Sequence, residues 1–186
     1  MSIFNIIKRD LQTFQAYPDI NLINERVSLR FFLKALLDID YRAIFMYRLS
    51  CFLINSGVKK IGLLIYYRLK SAHAIDISPF AKIGPGLKIV HAFNIVIGPD
   101  VIIGKDCVLF NSVTLGNSHP SWKLDKNMEK FMPVIEDRVT LCPGSRIIGK
   151  VKVGHDAFIA ANAVVIKNVP AFETWGGVPA KRILKN

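Results

Sequence analysis

From Ile77 to Val165 an aliphatic residue returns every six positions, and that regularity excludes most folds. The series runs Ile77, Ile83, Ile89, then Ile97, Ile103, Leu109, Leu115, then Ile135, Leu141, Ile147, Val153, Ile159 and Val165. Ile, Leu and Val together make up 56 of 186 residues. Thirteen chance matches therefore have odds of about 10⁻⁷, before the free choice of register is allowed for. Four residues after the aliphatic, the side chain is usually small or β-branched, as at Ala81, Val101, Val113, Ser145, Ala157 and Val169. Helices repeat at 3.6 residues and ordinary strands at two, so neither holds this register. One inward aliphatic per short strand, with three strands to a coil, predicts a β-solenoid of about four coils. Gly follows the aliphatic at Gly84, Gly98, Gly104, Gly116 and Gly154, where a tight corner is expected to need it.

The register breaks twice. Two extra residues fall between Ile89 and Ile97, and a long excursion, NSHPSWKLDKNMEKFMP, separates Leu115 from Ile135. Breaks in a solenoid usually place loops at a binding face. Before the repeat, the stretch RFFLKALLDIDYRAIFMYRLSCFLI has apolar residues three and four apart with no Gly or Pro, and predicts helix. Its stripe of Phe31, Leu33, Leu36, Leu37, Ile44, Leu49 and Phe52 is expected to be core or subunit interface. The expected organisation is a helical region over 1–74, a solenoid over 75–170 with a loop extruded at 116–134, and a tail over 171–186.

The net charge of +11 is spread along the chain: residues 1–74 hold 11 basic and 5 acidic side chains, and the rest hold 14 and 9. No Lys/Arg block reads as a nucleic-acid arm. A positive surface suits anionic partners such as CoA phosphates, acidic saccharides or a membrane face. Cys51, Cys107 and Cys142 are odd in number and lack CxxC spacing, which fits a reducing compartment. The apolar run of MSIFNIIKRD is too short for a secretory signal, and Ile61 to Tyr67 is too short to span a membrane. A cytoplasmic location is expected.

The register, the segment IDISPFAKIGPGLKIVHAFNIVIG, the VTLG at Val113 to Gly116 and the ending GGVPAKRI resemble the serine acetyltransferase branch of the hexapeptide-repeat acyltransferases. The resemblance covers about residues 42–184. It implies a mainly β chain built as a left-handed parallel β-helix, a homotrimer with sites between subunits, and acetyl transfer from acetyl-CoA to a hydroxyl. Acetyl-CoA brings its own activated thioester, so such an enzyme needs a base, an orienting group, oxyanion donors and a CoA groove.

Histidine is the natural base near neutral pH, and the chain has four. His91 falls at the two-residue slip, and Asp76 lies fifteen residues earlier. The resemblance implies His91 as general base and Asp76 as the carboxylate that orients its imidazole. It also implies CoA contacts at Gly116, Asn117, Pro143, Ala161, Pro179 and Lys181, with Arg182 beside them and the N–H of Gly116 or Asn117 as oxyanion donor. His119 is a candidate acceptor contact from the long loop, whereas His73 and His155 read as structural. Carbonic-anhydrase relatives of this fold use three histidine ligands, and no His pair here has the required spacing, so no metal is expected.

The chain departs from the serine acetyltransferase pattern at its acceptor positions. Those enzymes carry an Asp immediately before the catalytic His, where this chain has Val90. They carry Arg-His-Pro where this chain has Phe131, Met132 and Pro133. The loop is longer, with Trp122, Lys123, Lys126 and Lys130, and aromatic plus basic residues suit a sugar ring bearing an acidic group. Trp122, His119 and Met132 are therefore the expected acceptor contacts. The reading is an O-acetyltransferase acting on a sugar hydroxyl of a bacterial capsule, exopolysaccharide or lipopolysaccharide, with peripheral contact at the inner membrane an option for the helical half. Two other readings stand beside it: a serine O-acetyltransferase of cysteine biosynthesis, and a non-catalytic solenoid serving as an assembly subunit.

Overall fold

The computed structural model describes residues 2–18, 27–117 and 131–184. Helices α1 (Ile3–Ala16), α2 (Leu29–Ala35), α3 (Ile39–Asn55) and α4 (Lys59–His73) precede the repeat. No helix among the described residues is long and apolar enough to cross a membrane. The long helical stretch expected from Phe31 onward is two helices. Asp38 ends the run because its side chain accepts the N–H of Asp40 at 2.8 Å and caps α3. The expected stripe divides accordingly: Ile44 is buried, Phe31 and Leu36 are half-buried, and Leu33, Leu37 and Phe52 are exposed.

The repeat forms three walls. Wall A stacks β1 (Ile75–Ile77), β4 (Ile95–Ile97), β7 (Thr114–Gly116), β10 (Arg146–Ile148) and β13 (Val164–Val165). Wall B stacks β2 (Lys82–Ile83), β5 (Ile102–Ile103), β8 (Val134–Ile135) and β11 (Lys152–Val153). Wall C stacks β3 (Lys88–Val90), β6 (Val108–Phe110), β9 (Thr140–Leu141), β12 (Phe158–Ile159) and β14 (Thr174–Gly176), with β15 (Lys181–Arg182) folded back antiparallel on β14. The other wall pairings are parallel, and they stack the six-residue posts directly. Ile77 lies over Ile97, Leu115, Ile147 and Val165, while Ile89 lies over Leu109, Leu141 and Ile159. All thirteen posts are buried, each stabilising the coil by roughly 1.5–3 kcal/mol of transfer free energy. The small second posts are buried as well, so coil corners close without bulk.

Both ends of this core are covered. Ala43, Ile44, Tyr47 and Leu69 of α3 and α4 pack on the first coil. At the far end the wall C column finishes on Trp175, paired with Ile159 and half-buried, its indole N–H donating to Glu173 at 2.7 Å. The segment expected to be a tail therefore continues the wall through β14 and β15.

The glycine expectation is corrected. Gly84, Gly104 and Gly154 do not adopt positive φ; the left-handed corners are filled by Asp100, Asp106, Ser112, Arg138, Asp156 and Asn162 among others. Glycine is needed at Gly104 because the next coil approaches so closely. An added Cβ would lie 2.3 Å from Asp137 Oδ1 and 2.7 Å from the Asp137 backbone nitrogen.

Candidate functional site

The slip after β3 builds an irregular corner. At most other corners the left-handed residue comes three places after the post, as at Asp100, Asp106, Ser112, Asp156 and Asn162. Here Ile97 follows Ile89 by eight positions, and the chain makes two left-handed turns, at His91 (φ 57) and Asn94 (φ 54). A non-glycine residue in this region is uncommon and strained unless its surroundings hold it. The holder is Asp40 in the first turn of α3. Its carboxylate accepts the backbone N–H of His91 at 3.0 Å and of Ala92 at 2.7 Å.

The imidazole of His91 is exposed. It faces a cleft of about 580 Å³ between the helices and the corner, lined also by Asp38, Asp40, His73 and Phe93. Burial, assisted by the charges of Arg42 and Arg68, lowers the pKa of His73 from its ordinary value.

Asp76 and His91 are not joined. Asp76, in β1, accepts from the Tyr66 hydroxyl at 2.6 Å and from Lys70 Nζ at 2.5 Å, both on α4. Burial raises its carboxyl, but the hydrogen bonds from Lys70 and Tyr66 and the Lys70 charge outweigh that and hold its pKa below the usual range. Among the described residues the His91 imidazole has no hydrogen-bond partner. The expected Asp–His contact is replaced by Asp40 on the backbone of His91 and by α4 on Asp76. Fifteen residues of separation fixed their coil but not which helix docks on each, α4 on Asp76 and α3 on His91.

The remaining expected residues divide between two edges. Where wall C meets wall A, the corners of successive coils stack through backbone bonds: Ser112 N–H to Phe93 O, Gly144 N–H to Asn111 O, Asn162 N–H to Pro143 O, and Val164 N–H to Gly177 O, all at 2.9–3.0 Å. His91, Pro143 and Ala161 lie along this edge, and the Gly177–Ala180 turn with Pro179 closes it. Lys181 turns back into wall C and is exposed, and Arg182 beside it pairs with Glu173 at 3.2 Å. Gly116, Asn117 and Met132 lie along the other edge, where wall A meets wall B; the Gly116 carbonyl accepts from Gly149 N–H at 2.9 Å. His119 and Trp122 lie outside the described residues. His155 sits on the third edge, bonded through Nδ1 to Asp156 at 2.8 Å and edge-on to Phe172, a structural setting. Among the described residues no group of His, Cys, Asp and Glu is arranged to hold a metal.

Sequence reasoning missed Asp40, Tyr66 and Lys70. Asp40 carried a signal only as an acidic residue in the first turn of a helix; its bond to a corner 51 residues away depends on how α3 docks.

Residues 132–167 match the bacterial transferase hexapeptide family (six repeats). The serine acetyltransferase of Buchnera aphidicola subsp. Acyrthosiphon pisum is 34% identical over 180 residues, covering 97% of this chain and 61% of that protein. A solved serine acetyltransferase in complex with CoA is 30% identical, with a TM-score of 0.80 over 98% of this chain and 70% of that one. The Neisseria gonorrhoeae serine acetyltransferase in complex with serine is 27% identical, with a TM-score of 0.81 over 98% and 69%. The chain spans roughly half to three-fifths of the length of the curated relatives it matches.

Proposed function

The chain belongs to the hexapeptide-repeat transferases, with serine acetyltransferases as its relatives, and on that premise we propose that it transfers acetyl from acetyl-CoA to a hydroxyl, with L-serine as acceptor. The observation that carries the reading is His91, an exposed base on a fixed left-handed corner at the head of the edge that holds Pro143, Ala161 and Pro179. That edge steps by about 4.8 Å per coil, giving an extended thioester arm a straight track that ends at His91.

The imidazole takes the proton of the acceptor hydroxyl as its oxygen attacks the thioester carbonyl. The new C–O bond forms and the carbonyl electrons move onto oxygen, where backbone N–H donors such as Gly116 or Asn117 stabilise the charge. Collapse restores C=O and breaks C–S, and the departing CoA thiolate takes the proton back from the imidazolium. For Asp76 to orient His91, the imidazole must reach a carboxylate oxygen that also accepts from Tyr66 or Lys70. Within one chain wall A stands between His91 and Gly116. A site holding both takes its second edge from another copy, which supports sites between subunits, as in the homotrimer that the resemblance implies.

The names of the relatives favour serine over the sugar expected from the acceptor positions, and so does the cleft beside His91. Its carboxylates, Asp38 and Asp40, suit an acceptor bearing an ammonium group better than an acidic glycan. The sugar hydroxyl is kept as a second reading on one observation. Val90 is buried, paired with Phe110, and Met132 packs toward Gly98, so neither offers the charge that the resemblance implies there. Thiol release from acetyl-CoA, measured against L-serine, nucleotide sugars and acidic and neutral oligosaccharides, decides between them. Turnover on serine alone supports the first reading; turnover on a saccharide with serine inert overturns it in favour of the second.

A further inference from the structure

The corner that carries His91 is the first on its edge, bonded to the coil after it through Phe93 but with no coil before it. The later corners give backbone N–H groups to the preceding coil, as Ser112 does to Phe93 and Asn162 to Pro143. No coil precedes the His91 corner, so the N–H groups of His91 and Ala92 have no coil carbonyl to reach, and both are taken by one carboxylate, that of Asp40. Asp40 is itself fixed. Its own N–H donates to Asp38 Oδ1 at 2.8 Å, it lies at the positive end of α3, and it is half-buried. Its two bonds hold a non-glycine residue at φ 57 while leaving the imidazole exposed.

We propose that Asp40 is a positioning residue for acetyl transfer: by gripping the N–H groups of His91 and Ala92, it sets the direction in which the His91 imidazole meets the acceptor hydroxyl. The proposal rests on His91 being the base. It makes α3 part of the catalytic apparatus as well as a lid on the first coil. Misplacement of a base by about 1 Å costs on the order of 10²-fold in rate.

The test compares Asp40→Ala, Asp40→Asn, His91→Ala, the double variant Asp40→Ala/His91→Ala, and Ser28→Ala. The last removes the side-chain cap of α2 and controls for loss of stability alone. Thiol release is followed at saturating L-serine, or at whichever acceptor the panel identifies. Asp40→Ala is expected to lower kcat by about 10²-fold with the KM for acetyl-CoA within about twofold. Asp40→Asn, whose single acceptor oxygen keeps one of the two bonds, is expected to fall between and serves if the alanine variant does not fold. The double variant is expected to match His91→Ala, because a base that is absent cannot be misplaced. Ser28→Ala is expected to keep wild-type kcat. Wild-type kcat in Asp40→Ala alongside an inactive His91→Ala overturns the positioning role. Full activity in His91→Ala overturns the base assignment instead.

Discussion

Arg48, in the middle of α3, holds the carboxylate of Asp10 in α1 through two hydrogen bonds, at 2.8 and 3.2 Å. Both side chains are almost wholly buried. Arg48 also donates to the carbonyls of Ile83 and Gly84 at 2.6 Å, and Asp10 accepts the N–H groups of Gly86 and Leu87. The pair therefore supplies bonds to a first coil that has no coil above it. Removing one member leaves a buried charge alone, which costs about 3–5 kcal/mol. Arg48→Met is expected to lower Tm by about 10 °C in a thermal melt.

A second expectation concerns glycine. Gly104→Ala would force a Cβ against the backbone of the next coil and is expected to cost about 3 kcal/mol. At Gly116 an added Cβ meets nothing within 4 Å. Gly116→Ala is expected to match or slightly exceed wild-type stability, by up to about 1 kcal/mol. Denaturant midpoints of the two variants check this contrast.

These glycines mark what was legible in the sequence. The period of six identified every inward post from Ile77 to Val165, because burial selects the same side chain once per strand. It placed the glycines correctly but gave the wrong cause, since a conformational need and a close approach leave the same letter in a sequence. The continuation through Trp175 was hidden because an aromatic replaces the aliphatic post there. The irregular corner at His91 was legible through the two-residue slip. Asp40 was not, because its role lies in a contact between two regions whose docking no local pattern encodes.

On the third edge Asp156 is held by Arg138 at 2.6 Å and by His155 at 2.8 Å. Hydrogen bonds from Arg138 and His155 lower its pKa to about 2. A carboxyl depressed in the folded state contributes stability above its unfolded pKa and loses it as pH falls through the folded value. Asp156→Asn is expected to be less stable than wild type near neutrality by under about 1 kcal/mol, since the pair is partly solvated. That difference is expected to vanish between about pH 4 and pH 2, as chemical denaturation across this range will register.

Lys70 and Asp76 give a further contrast. If Asp76 orients His91 by exchanging a partner, Lys70→Ala frees one of its oxygens and is expected to keep or raise kcat. Asp76→Asn is expected to lower kcat at least about tenfold. Steady-state kinetics on both variants at one pH separate these outcomes.

The most direct test of His91 as the base of an acetyl transfer is His91→Asn, with acetyl-CoA affinity measured by calorimetry and thiol release measured with L-serine on the same preparation. Affinity within about twofold of wild type, with kcat lower by about 10²–10⁴, is the expected result. Equal kcat in the two proteins would contradict it and remove His91 from the reaction.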